Sequence, residues 1–87
     1  MQVRTTRSTI RFSSPFLLAG FDAPQPAGEY QIECDEEEIE GHLLLAYRRV
    51  ATFIHLPAID VASPTREMIP IDAAELETAQ AKDREAA

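Results

Sequence analysis

Three sets of side chains have the types and the proximity that chemistry requires. The first is an acid block, Glu33, Asp35, Glu36, Glu37, Glu38 and Glu40. Hard divalent cations take oxygen ligands, so the block is a candidate cation site. The second is Tyr47-Arg48-Arg49. A guanidinium fork grips phosphate or carboxylate with two parallel hydrogen bonds, which makes Arg48, Arg49 and Tyr47 the candidate ligand-binding residues. The third is Cys34, His42 and His55, the thiol and the two imidazoles of the chain. Those types can ligate a transition metal or form a Cys–His nucleophilic pair.

Each set also has a plainer account. Calcium loops fold their ligands around one point, with Gly and Asp or Asn at set positions, and the acid block lacks that pattern. On a strand, successive acids point to opposite faces and do not converge. A solvated charged stretch is the simpler reading, and charge on a strand also discourages edge-to-edge aggregation. Arg48 and Arg49 can lie beside the acidic segment, as can a basic segment before it. Opposite charges across a ladder contribute about 0.2–1 kcal/mol per pair. The intervals between Cys34, His42 and His55 lack the short paired spacing of structural zinc. Cys34 also falls on an apolar face, where a thiol is inert. Neither a glycine-rich phosphate loop nor a serine elbow is present. The sequence therefore predicts no enzyme, no cofactor and no metal site.

The elements that position these residues follow from periodicity. Residues 8–12 (STIRF) place Ile10 and Phe12 on one face of a strand. Residues 1–7 are expected to fray, as are 85–87. Pro15 predicts a bulge, an edge or a bend. Residues 20–28, with Gly20, Pro24, Pro26 and Gly28, read as a loop. Next, Tyr30, Ile32 and Cys34 alternate with Glu29, Gln31, Glu33 and Asp35, the pattern of a half-buried strand. Gly41 marks a turn.

Residues 42–56 carry two conflicting signals. Leu43, Tyr47, Val50, Ala51 and Ile54 recur at helical spacing, whereas Val50, Thr52, Phe53 and Ile54 prefer strands. A strand over residues 45–56 is favoured, with a central helix near 36–55 as the alternative. Residues 67–71 (EMIPI) read as a short last strand, set at an edge by Pro70. Asp72, with Glu75 three residues on, opens a helix to about Arg84. Leu76 and a few alanines give that helix only a light docking face. The expected architecture is mainly β. It is a small antiparallel sheet or open barrel of about four strands with one C-terminal helix, in a single small domain.

Composition bounds the function. The 87 residues make one domain, and a chain of this size gains from dimerisation. Net charge is −7, which opposes binding to phosphate backbones and predicts no nucleic-acid partner. The charge is uneven: residues 1–20 hold Arg4, Arg7 and Arg11 without an acid, and residues 21–40 hold eight acids without a base. Lone Cys34 fits a reducing compartment, and no apolar run reaches membrane-spanning length. A cytoplasmic protein without membrane contact is expected.

Residues 16–20 (FLLAG), 25–30 (QPAGEY), 47–52 (YRRVAT) and 71–75 (IDAAE), in that order, resemble a family of short uncharacterised alphaproteobacterial proteins, a domain of unknown function. The resemblance implies a cytoplasmic bacterial protein and transfers no active-site residues. Two functional classes follow. One is a non-enzymatic protein-interaction module, with a homodimer among its forms, that uses a sheet edge or the acidic surface. The other is a small-ligand or divalent-metal-binding accessory domain built on Arg48, Arg49 and the acids. A concave pocket with convergent arginines would favour the second, and a flat apolar edge strand the first.

Overall fold

A computed structural model describes residues 3–39 and 46–86. Four strands form one antiparallel sheet in the order β1-β2-β3-β4: Val3–Phe12, Gly28–Ile39, Ala46–Leu56 and Glu67–Pro70. Helix α1, Ala73–Ala86, follows. The chain is thus mainly β, an open sheet with one C-terminal helix, and β3 replaces the alternative of a central helix. The expected turn at Gly41 lies outside the described residues, as do Glu40, His42 and residues 43–45.

β1 is twice as long as the STIRF run that signals it. Residues 3–7, expected to fray, sit inside the ladder, opposite residues 37–33 of β2. Their types explain this. Val3, Thr5 and Thr6 favour strands, and Arg4 and Arg7 face acids across the pair. The register runs unbroken from Val3↔Glu37 to Phe12↔Gly28.

β2 and β3 are joined with one irregularity. Asp35 faces Ala51 but Glu36 faces Arg49, so Val50 is an extra residue on β3. A bulge of this kind exchanges the faces of a strand. Below it, Thr52, Ile54 and Leu56 point to the core. Above it, Tyr47 and Arg49 share that side, opposite Glu38 and Glu36. Tyr47 and Ile54 are seven residues apart and yet on one side, and this is what imitates a helical period in the sequence.

The core occupies one half of one face. Phe12, Tyr30, Ile32, Ile54 and Leu56 come from the sheet, Phe16, Leu18 and Ala58 from the loops, and Leu76 from α1; all are buried. Phe12 stacks on Phe16 with ring centroids 3.7 Å apart, and Tyr30 meets Phe16 edge-on at 5.0 Å. Aromatic pairs of this kind add about 0.5–1.5 kcal/mol beyond their buried area. Phe16 and Gln25 exchange backbone hydrogen bonds, which closes the loop between β1 and β2. β4 is short, lies at the edge and ends at Pro70, as proline's missing N–H requires.

α1 begins at an Asp72 cap, whose carboxylate accepts from Ala74 N at 2.8 Å. Glu75 does not return to close a capping box. Its carboxylate accepts from Ala19 N at 3.2 Å. Asp83 accepts from Ser13 N and Ser14 N at 2.9–3.0 Å. With only Leu76 buried among the helix's described side chains, these carboxylates anchor it to the chain leaving β1.

Candidate functional site

Apart from Cys34 and His55, which lie beside the core, the described candidate residues gather in the outer half of the sheet, where β1, β2 and β3 run on together. β2 is the acidic middle strand, with a basic neighbour on each side. Arg7 Nε donates to Glu33 at 2.9 Å, Arg4 Nε to Glu36 at 3.3 Å, and Arg48 Nη2 to Glu37 at 3.2 Å. Thr5 Oγ1 donates to Asp35 at 2.7 Å and Thr6 Oγ1 to Glu36 at 3.2 Å. Glu33, Asp35, Glu36 and Glu37 of the acid block are therefore engaged by hydroxyls and guanidinium groups of this same chain. Its members divide between faces: Glu33, Asp35 and Glu37 on one, Glu36 and Glu38 on the other. Same-face neighbours along a strand stand about 7 Å apart, and a hard cation holds its oxygens at about 2.3–2.6 Å. Among the described residues no group of three or more His, Cys, Asp and Glu is placed to hold a metal ion.

Tyr47, Arg48 and Arg49 are consecutive on β3, so they alternate. Arg48 lies on the face of Glu37, and Tyr47 and Arg49 on the face of Glu38 and Glu36. The two arginines do not form a joint fork. Tyr47 is met instead by Arg4, whose guanidinium carbon stands 3.6 Å from the ring centroid. That cation–π contact reaches from β1 across β2 to β3 and shares Arg4 with Glu36.

Glu33 is the most enclosed of the paired acids, with its side chain 13% exposed. It faces Arg7 on one side and Phe53 on the other, with His55 Nε2 at 3.7 Å. That imidazole nitrogen is buried and has no hydrogen-bond partner. Cys34 is half-buried on the core side, its sulfur 3.9 Å from Thr52 Oγ1. The thiol and His55 thus lie on opposite faces and form no nucleophilic pair.

Sequence reasoning missed Arg4 because it lay in the segment expected to fray. Its even-numbered alternation with Thr6, Ser8, Ile10 and Phe12 was the available signal. Reasoning from sequence also missed Arg66, which donates to the carbonyls of Pro57, Ala58 and Val61 and holds the loop between β3 and β4. No local pattern announces that contact.

Two concavities lie away from these residues. One, of about 550 Å³, is an open groove between residues 14–18 and α1, with exposed Leu17 on its wall and Lys82 and Asp83 at one end. The other, of about 210 Å³, is bounded by Gly20, Phe21, Leu56 and Ile69. Neither is lined by Arg48, Arg49 or Tyr47.

The sheet's two edges differ. β4 offers four residues and a proline, whereas β1 offers ten residues without proline or bulge. Residues 3–9 of β1 are all exposed. Among the described residues no helix is long and apolar enough to cross a membrane. Comparison with protein families, with curated proteins and with solved structures finds no match to this chain.

Proposed function

We propose that this chain is a non-enzymatic protein-interaction module of the bacterial cytoplasm that accepts an extended partner strand along the β1 edge. The observation that carries the reading is the asymmetry of the sheet. One edge is short and closed by Pro70, and the other is a ten-residue strand in unbroken register with its outer side unpaired among the described residues. An edge of that kind is a template for strand addition, in which backbone hydrogen bonds give affinity. Its surface is Thr- and Ser-rich rather than apolar, so such binding rests on the ladder more than on side-chain burial. The ligand-binding alternative has less support, because Arg48 and Arg49 point to opposite faces and Arg48 is already paired with Glu37.

The test is capture of a partner from the native host by the wild-type chain and by Ser8→Lys/Thr9→Lys. These two exposed residues lie on opposite faces of β1. Lysine on an edge strand opposes pairing while leaving the sheet intact. A partner retained by wild type and lost by the variant is expected. A partner held equally by both, with both chains folded, would sink the edge reading.

A further inference from the structure

We infer that the β1 edge pairs with the same edge of a second copy, antiparallel about a two-fold axis at Ser8, joining two four-stranded sheets into one. This rests on the edge reading above and names its occupant. A two-fold axis normal to the sheet preserves the faces, so residues of equal parity must stand opposite each other. That condition leaves few registers. An axis at Arg7 sets Arg7 against Arg7, and an axis at Thr9 sets Arg7 against Arg11. Like charges directly opposite destabilise a ladder. An axis at Ser8 sets Arg7 against Thr9, Arg11 against Thr5, Arg4 against Phe12 and Thr6 against Ile10, with no like-charged pair. It also uses nine residues of each strand, 4–12, against seven for an axis at Thr6.

The side chains are disposed to allow this. Arg4 and Arg7 are drawn inward, onto Glu36 and Tyr47 and onto Glu33, and so away from the free edge. The edge then presents chiefly Thr5, Thr6, Ser8 and Thr9. The second copy carries the same net charge of −7, so whole-chain repulsion opposes the pairing and added salt should strengthen it. Locally the strands are compatible: two of the three arginines of β1 are paired with its own β2, and the Ser8 register sets the third, Arg11, against Thr5.

The experiment is sedimentation of the chain, with disulfide trapping of Ser8→Cys in a Cys34→Ala background, where no other thiol remains. A symmetric Ser8 pair brings its Cβ atoms within about 4.5–5.5 Å, close to disulfide reach. The expected results are a species of twice 9.7 kDa, rapid cross-linking of Ser8→Cys, and slow cross-linking of Thr9→Cys, whose opposite residue is Arg7. Ser8→Lys should return the chain to monomer. A chain that stays at 9.7 kDa at every concentration overturns self-pairing, even where Ser8→Lys/Thr9→Lys still abolishes capture of another protein. In that case the edge reading stands with a different occupant. A dimer that survives Ser8→Lys, or that cross-links through Thr9→Cys and not Ser8→Cys, overturns it as well.

Discussion

Tyr30 and Gly28 hold the entry to β2, and each makes a measurable prediction. The Tyr30 ring is fully buried, and its hydroxyl donates to Pro26 O at 2.6 Å. Burial, and then the charge of Asp60, push its phenol above the usual 10.0. The folded chain therefore keeps this proton to a higher pH than the unfolded chain. As pH rises past 10, the unfolded state releases it first, and stability falls until the folded phenol also ionises. Replacing Tyr30 with Phe should cost about 1 kcal/mol at pH 7 through the lost hydrogen bond. The gap between the two proteins should narrow above pH 10. Urea midpoints from pH 8 to 11 read this directly, and a constant gap would refute it. Two residues earlier, Gly28 has φ +155°, and a Cβ there would stand 3.3 Å from Ala58 Cβ. Side chains rarely adopt that backbone conformation, and Ala58 is itself buried. Gly28→Ala should lower unfolding free energy by about 1–3 kcal/mol, measured by chemical denaturation. A neutral effect would mean that the turn relaxes freely.

At the scale of elements, α1 has the weakest apolar attachment. Among its described side chains Leu76 is the one buried hydrophobic, with Ala79 partly buried. The carboxylate of Asp83, accepting from two successive backbone amides, compensates. Hydrogen bonds to a charged group contribute about 1.5–3 kcal/mol each when well buried, and less where water reaches them. Asp83→Ala should therefore raise amide exchange along the second half of α1 and cost about 1–2 kcal/mol overall. Unchanged helix exchange in this variant would show that Leu76 alone suffices. The start of this helix was legible, because Asp72 caps it as its sequence suggests. Its anchoring was not, because Asp83 meets residues some seventy positions away. β2 was legible through Tyr30, Ile32 and Cys34. β3 was legible only in part, because the Val50 bulge changes which parity faces the core and lends a strand the spacing of a helix. β1 was read short because apolar alternation stops at Ile10, while Arg4, Thr5 and Arg7 are held by ladder and charge.

Across the whole molecule, the sheet outruns its core. The particle measures 45 × 33 × 20 Å, and among the described residues every buried hydrophobic lies in the half that holds Phe12, Tyr30 and Ile54. The other half rests on backbone ladders, the Arg4–Tyr47 contact and ion pairs whose arginines are more than half exposed. Such pairs contribute about 0–1 kcal/mol each and are screened by salt. This division also explains why the candidate site was only half visible in the sequence. The opposition of basic and acidic segments could be anticipated from their charges, but the sorting of Arg48 and Arg49 onto opposite faces follows from register. The two halves should accordingly open separately. Native-state amide exchange should give residues 30–34 and 52–56 the global unfolding free energy. Residues 35–39 and 46–51 should exchange through a smaller opening whose free energy falls further in high salt. Arg4→Ala should deepen that contrast, since it removes the cross-sheet contact to Tyr47 and the pair with Glu36 together. Uniform protection along β2 from Tyr30 to Ile39, insensitive to salt, would show instead that the outer half is folded by the same cooperative unit as the core.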